Sequence, residues 1–82
     1  MTRSELEAAG FILADYLPSG TRYEQGELYV LFTPEKTVRL YLPEASDLVE
    51  IATGDLFAPD VHYQGPIQDV EELLRFVQGA LR

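Results

Sequence analysis

His62 is the one side chain whose ordinary pKa lies near neutrality, so proton transfer at neutral pH would centre on it. Asp60, two residues earlier, falls on the same side if that segment is extended, giving an acid–imidazole pair. A hydrolase also needs a nucleophile. Ser4, Ser19 and Ser46 fall in a helix start and two loops, with no glycine-rich turn or serine elbow around any of them. Two carboxylates across a cleft would serve general acid–base catalysis, but 82 residues seldom enclose a pocket of the necessary size, and each Asp and Glu has an ordinary surface explanation. The expectation is a protein that is not an enzyme. The absence of cysteine removes disulfides, zinc–thiolate sites and thiol catalysis together. Beside Asp55 and Asp60, His62 lacks a second nitrogen ligand, and no Asp-x-Asp-x-Asp-Gly calcium loop occurs, so neither a metal nor a cofactor is expected. His62 then reads as a partly buried hydrogen-bonding residue.

Tyr16, Tyr23, Tyr29, Tyr41 and Tyr63 suggest a platform on which the bases of a single strand could stack. Charge opposes it. The chain has 14 acidic and 6 basic residues, and residues 40–74 contain eight acids and no Lys or Arg. Nucleic-acid binding is driven by basic side chains that release counterions, so direct binding of DNA or RNA is not expected. A negative field is complementary to a basic protein surface and raises the rate of encounter with one. Glu44, Asp47, Glu50, Asp55 and Asp60 are the acids expected to form this surface.

The elements that must position these groups are marked by caps and turns. Thr2 and Glu5 have the spacing of a capping box and Gly10 suits a left-handed stop, predicting a short helix over residues 3–9. Strand-like runs follow at 11–17, 21–24, 27–33, 37–42 and 48–52, separated by turn residues. Residues 56–64 add at most an edge strand, because Pro59 interrupts them. Asp69 and Glu72 repeat the capping spacing, and Ile67, Val70, Leu73, Leu74, Val77 and Leu81 recur at helical intervals. The apolar stripe of that helix needs a sheet face to cover it. The expected fold is α+β: an antiparallel meander of about five strands with a short N-terminal helix and a C-terminal amphipathic helix packed on one face, all within one domain of residues 1–82. At this length the core is thin. The longest apolar run, residues 28–32, is far short of the ~20 a membrane span needs, and no charged-then-apolar leader opens the chain, so no membrane is expected and the cytoplasm is the expected location.

Parity divides the strands into faces. Leu28, Val30 and Phe32 alternate with Tyr29 and Leu31, and Val38, Leu40 and Leu42 alternate with Arg39 and Tyr41. Taking the first set of each as core requires Phe32 opposite Val38, which a loop of three or five residues would give. A two-residue Gln25-Gly26 turn would set Arg22 opposite Tyr29. Arg22, Tyr29 and Tyr41 then form a row across three strands with Leu31 and Arg39 beside it. Tyrosine and arginine are enriched at binding hot spots, so this open face is the expected partner-binding surface. The same face would equally close a homodimer.

The opening Leu6-Glu7-Ala8-Ala9-Gly10-Phe11, followed by strands, resembles the start of the HicA-type RNA-cleaving toxins, which run helix, three strands, helix. The Gly-Ser-His stretch that carries that family's chemistry has no counterpart after Phe11, and His62 lies in a different segment, so the resemblance implies no site residue. The sequence therefore points to a small acidic protein-binding domain, of adaptor, immunity or inhibitor type, that occupies a partner's surface. The alternative is a phosphate-mimicking inhibitor of a nucleic-acid-processing enzyme, such as a phage-encoded anti-defence protein.

Overall fold

Thr2 caps the first helix, α1 (Arg3–Ala8), as its spacing to Glu5 predicts: the Glu5 amide donates to Thr2 Oγ1 (3.2 Å) and the Thr2 amide to Glu5 Oε1 (2.9 Å). The helix ends on Gly10 at φ +102°, where Phe11 N–H reaches Leu6 O (3.0 Å) and Gly10 N–H reaches Glu7 O (3.0 Å). That is the Schellman pattern, and its usual apolar contact is supplied by Leu6 and Phe11, both in the buried core. The computed structural model describes residues 1–15, 23 and 25–81.

Beyond Phe11 come β1 (Ile12–Leu13), β2 (Gly26–Phe32), β3 (Thr37–Pro43), β4 (Val49–Gly54), β5 (Pro59–Gly65) and α2 (Val70–Ala80). The strands form one antiparallel sheet in the order β1-β2-β3-β4-β5, a meander, so the fold is α+β with a helix at each end of the chain. The expected strand at 11–17 is paired only over Ile12–Leu13. The expected strand at 21–24 lies outside the described residues apart from Tyr23, which sits in a turn. Gly26 begins β2 rather than closing a tight hairpin, and the neighbour of β2 is β1, with Leu13 opposite Tyr29. Pro59 opens β5 at the sheet's edge, the first position of an edge strand, where proline is tolerated.

The register of β2 against β3 corrects the expected division of faces. Phe32 pairs with Thr37, Leu31 with Val38 and Tyr29 with Leu40. Four residues, Thr33 to Lys36, join the two strands, an even number where the expected pairing needed an odd one. The Thr33 amide donates to Lys36 O (3.1 Å), the Lys36 amide donates to Thr33 Oγ1 (3.0 Å), and Pro34-Glu35 forms the tip. This one-residue difference moves every β2 side chain to the opposite face. Tyr29 and Leu31 therefore join Val38, Leu40 and Leu42 beneath α2, while Leu28, Val30 and Phe32 share the other face with Arg39 and Tyr41.

Asp69 caps α2 by accepting from the Glu72 amide (2.9 Å), and the helix buries Leu73, Val77 and Ala80 in the same cluster as Tyr29, Leu40 and Ile51. Each fully buried aliphatic side chain of this kind contributes about 1.5–3 kcal/mol. No basic residue lies in the last turn of α2; instead Lys36 Nζ donates to Ala80 O (3.3 Å), setting a cation at the negative end of the helix dipole. Among the described residues, no helix is long and apolar enough to cross a membrane.

Candidate functional site

The residues expected to form one open row are separated. Tyr29 and Leu31 face α2, Arg39 and Tyr41 face the other way, and Arg22 lies outside the described residues. Tyr29 is only 1% exposed, and its burial pushes the phenol pKa up. Arg39 is 6% exposed and turned inward: Nη1 donates to Gly54 O (2.6 Å), and Nη2 donates to Thr53 O and Asp55 O (3.2 Å each). Tyr41 donates its hydroxyl to Gln25 O (2.9 Å) and meets Tyr23 edge to face, with ring centroids 5.1 Å apart. Tyr23 is completely buried, and Leu28 and Ala52 on this face are buried as well. The centre of the second face is thus packed rather than open. Glu50, opposite Tyr41, belongs to that packed centre at 2% exposure and is not part of an acidic surface. Glu44, Asp47, Asp55 and Asp60 are exposed.

What remains uncovered is the sheet's perimeter. Ile12 lies on the β1 edge, Val61 on the β5 edge, Phe32 at the end of β2, and Leu48 and Phe57 in connections; these are the exposed large apolar residues among the described ones. Phe32 (68% exposed) and Phe57 (69%) stand at the same end of the sheet. The Arg39–Ala52 pairing places the start of β3 beside the end of β4, so the Thr33–Lys36 turn and the 55–58 connection project together. The second connection is built for rigidity. Gly54 takes φ +81°, Asp55 Oδ1 accepts from the Phe57 amide (2.8 Å), and the Arg39 guanidinium binds the carbonyls of residues 53, 54 and 55 from within the sheet. Glu35, Asp55 and Asp60 are exposed around this end, and its one exposed cation among the described residues, Lys36, is turned to the α2 carboxyl terminus. Sequence reasoning assigned Phe32 to the core and left Phe57 without a role. The readable signal was Gly54-Asp55-x-Phe57 before Pro59, a turn that fixes an aromatic residue at its tip.

A bulge between the Ile51–Tyr63 and Ala52–Val61 pairs brings His62 back to β4, where His62 Nε2 and Thr53 Oγ1 share a hydrogen bond of 2.7 Å. Asp60 Oδ2 lies 3.9 Å from the same Nε2. In a nucleophile–histidine–acid relay the acid holds the other ring nitrogen, so the three groups are not arranged as one. Thr53 is buried, and the imidazole satisfies its hydroxyl. Among the described residues, no group of three or more His, Asp or Glu side chains is placed to hold a metal ion. No protein-family model, curated protein or solved structure matches this chain.

Proposed function

We propose that the domain binds another protein through the end of the sheet where the β2–β3 and β4–β5 turns project. Phe32 and Phe57 act as apolar anchors, and Glu35, Asp55 and Asp60 form an anionic rim that selects a partner basic around an apolar hollow. One observation carries this reading: the two most exposed large apolar side chains among the described residues stand at one end of the sheet, and one of them, Phe57, is on a turn clamped by a buried arginine. A clamped anchor loses little conformational entropy on binding. A non-enzymatic role agrees with the Thr53–His62–Asp60 geometry, in which acid and hydroxyl converge on one nitrogen.

The test compares wild type with a Phe32→Ser, Phe57→Ser double variant as bait in lysate, at low salt and at roughly 0.5 M salt, where screening shortens the reach of surface charge to a few ångströms. The expected result is a protein captured by wild type at low salt, reduced by the double variant and reduced by salt. Both positions are exposed, so folding stability should stay within about 0.5 kcal/mol for each change. Capture that ignores both perturbations would overturn the reading. The eight acids and absent bases of residues 40–74 support a second reading, mimicry of a phosphate backbone; release of the captured protein by DNA or RNA would favour it.

A further inference from the structure

We infer that β5 is a receiving edge, along which the partner adds an extended, lysine- or arginine-bearing segment as a sixth strand. This rests on the protein-binding reading above and specifies the partner's shape and charge. The two edges of the sheet differ. At one, β1 is paired over two residues only; at the other, β5 presents seven, from Pro59 to Gly65, hydrogen-bonded on one side to β4. Among the described residues, no backbone group pairs with its outer side. An edge strand carries a row of unpaired N–H and C=O groups, and proteins commonly blunt such rows with lysine. Neither β5 nor its flanks contain lysine or arginine.

Pro59 and the bulge at His62 disturb the first half of β5, but Tyr63, Gln64 and Gly65 are in regular register with Ile51, Glu50 and Val49. Alternate side chains of an added strand would find Val61, exposed on one face, and Tyr63 stacked on Phe76 at 3.9 Å on the other. Charge selects the occupant. In the sequence Asp55 precedes the free edge, Asp60 lies within it, and Asp69, Glu71 and Glu72 follow it. A second copy of this chain, at net charge −8, would bring like charge to the same edge, whereas a basic segment brings the opposite sign.

The experiment uses the full chain, isotope-labelled for amide exchange, with the probe Lys-Val-Lys-Val-Lys-Val and the same peptide N-methylated at alternate residues. N-methylation keeps charge and side chains but removes the backbone donors of one edge. The unmodified peptide should slow exchange of outward β5 amides by about tenfold or more near saturation, and the methylated peptide should not. Asp60→Lys should weaken the unmodified peptide severalfold. Equal effects of the two peptides would reduce the interaction to charge alone and overturn the inference, as would unchanged β5 exchange at millimolar peptide. Sedimentation as a dimer whose β5 amides are already protected would assign the edge to a second copy instead. Loss of partner capture by the Phe32→Ser, Phe57→Ser variant without any β5 protection would leave the turn reading standing and remove this one.

Discussion

Arg39 is where the fold and the proposed binding turn meet, and its replacement by methionine tests both. The guanidinium makes three hydrogen bonds to main-chain carbonyls of residues 53–55 from a site only 6% exposed. Hydrogen bonds to a charged group contribute about 1.5–3 kcal/mol each, which would suggest a loss of about 4.5–9 kcal/mol if simply added. Two effects reduce it. Gly54 and Asp55 are exposed, so their carbonyls regain water, and methionine abolishes the several-kcal/mol cost of keeping a charge out of solvent. The expected net loss is about 2–4 kcal/mol. A domain of this length has about 4–12 kcal/mol in all, so the midpoint of thermal unfolding should fall by about 10–25 °C. Urea unfolding followed by circular dichroism gives the global value, and amide exchange at Asp55, Leu56 and Phe57 gives the local one. Arg39→Lys, which keeps the charge but cannot reach three carbonyls from one planar group, should recover less than half of the loss. An Arg39→Met protein within about 0.5 kcal/mol of wild type, with exchange at residues 55–57 unchanged, would show that the guanidinium does not clamp the turn.

Burial raises the Tyr29 pKa, so above the ordinary phenol value of about 10 the unfolded chain releases a proton that the folded chain keeps. Stability should be intact below that pH and fall as pH rises through it, and Tyr29→Phe should remove this alkaline limb in urea titrations. Glu5 shows the opposite sign: hydrogen bonds from the Thr2 amide and then the Thr2 hydroxyl hold its pKa below the usual carboxylate value. Its contribution is complete above about pH 4.3 and lost as pH falls through the lowered value, so Glu5→Gln should flatten the acid side of the profile. At Gly26 an added Cβ would overlap Leu42 O and lie 2.8 Å from Tyr41 Cε1 and 2.9 Å from Pro43 Cα. Gly26→Ala should therefore cost about 1–3 kcal/mol through packing. At Gly54 the nearest atoms are 3.6 Å away, so Gly54→Ala should cost about 1–2 kcal/mol through its φ of +81° alone. Calorimetry on the two variants separates the mechanisms if only Gly26→Ala also perturbs the Tyr41 resonances.

Caps and periodicity made the helices legible. Thr2, Glu5, Gly10 and Asp69 each satisfy a named backbone group, and such signals are local enough to survive without tertiary information. The meander was legible because turn residues punctuate it. The face of β2 was not, and the reason lies in its composition. Every residue from Leu28 to Phe32 is apolar, so alternation carries no preference there, and the side each faces is decided by the Thr33–Lys36 connection. Thr33 closes that connection with its amide and hydroxyl together, giving an even spacing. In β3, where Arg39 interrupts the apolar run, parity placed Val38, Leu40 and Leu42 beneath the helix as read from sequence.

The same register change relocates the binding surface. With Tyr29 beneath α2, and Tyr23 against Tyr41 over the other side, these three of the rings that suggested a platform are spent on covering the sheet. Arg39, read as a contact residue because it alternates outward, does alternate away from α2, but there it finds three carbonyls rather than solvent. A sheet of five short strands has few positions left once both faces are packed. They are the turns and the edges, where Phe32, Phe57 and Val61 are exposed and where the acids of residues 55 and 60 stand. Burial of aromatics at the centre and exposure of aromatics at the rim thus have one origin: the even-numbered loop that turned Tyr29 inward also turned Phe32 out.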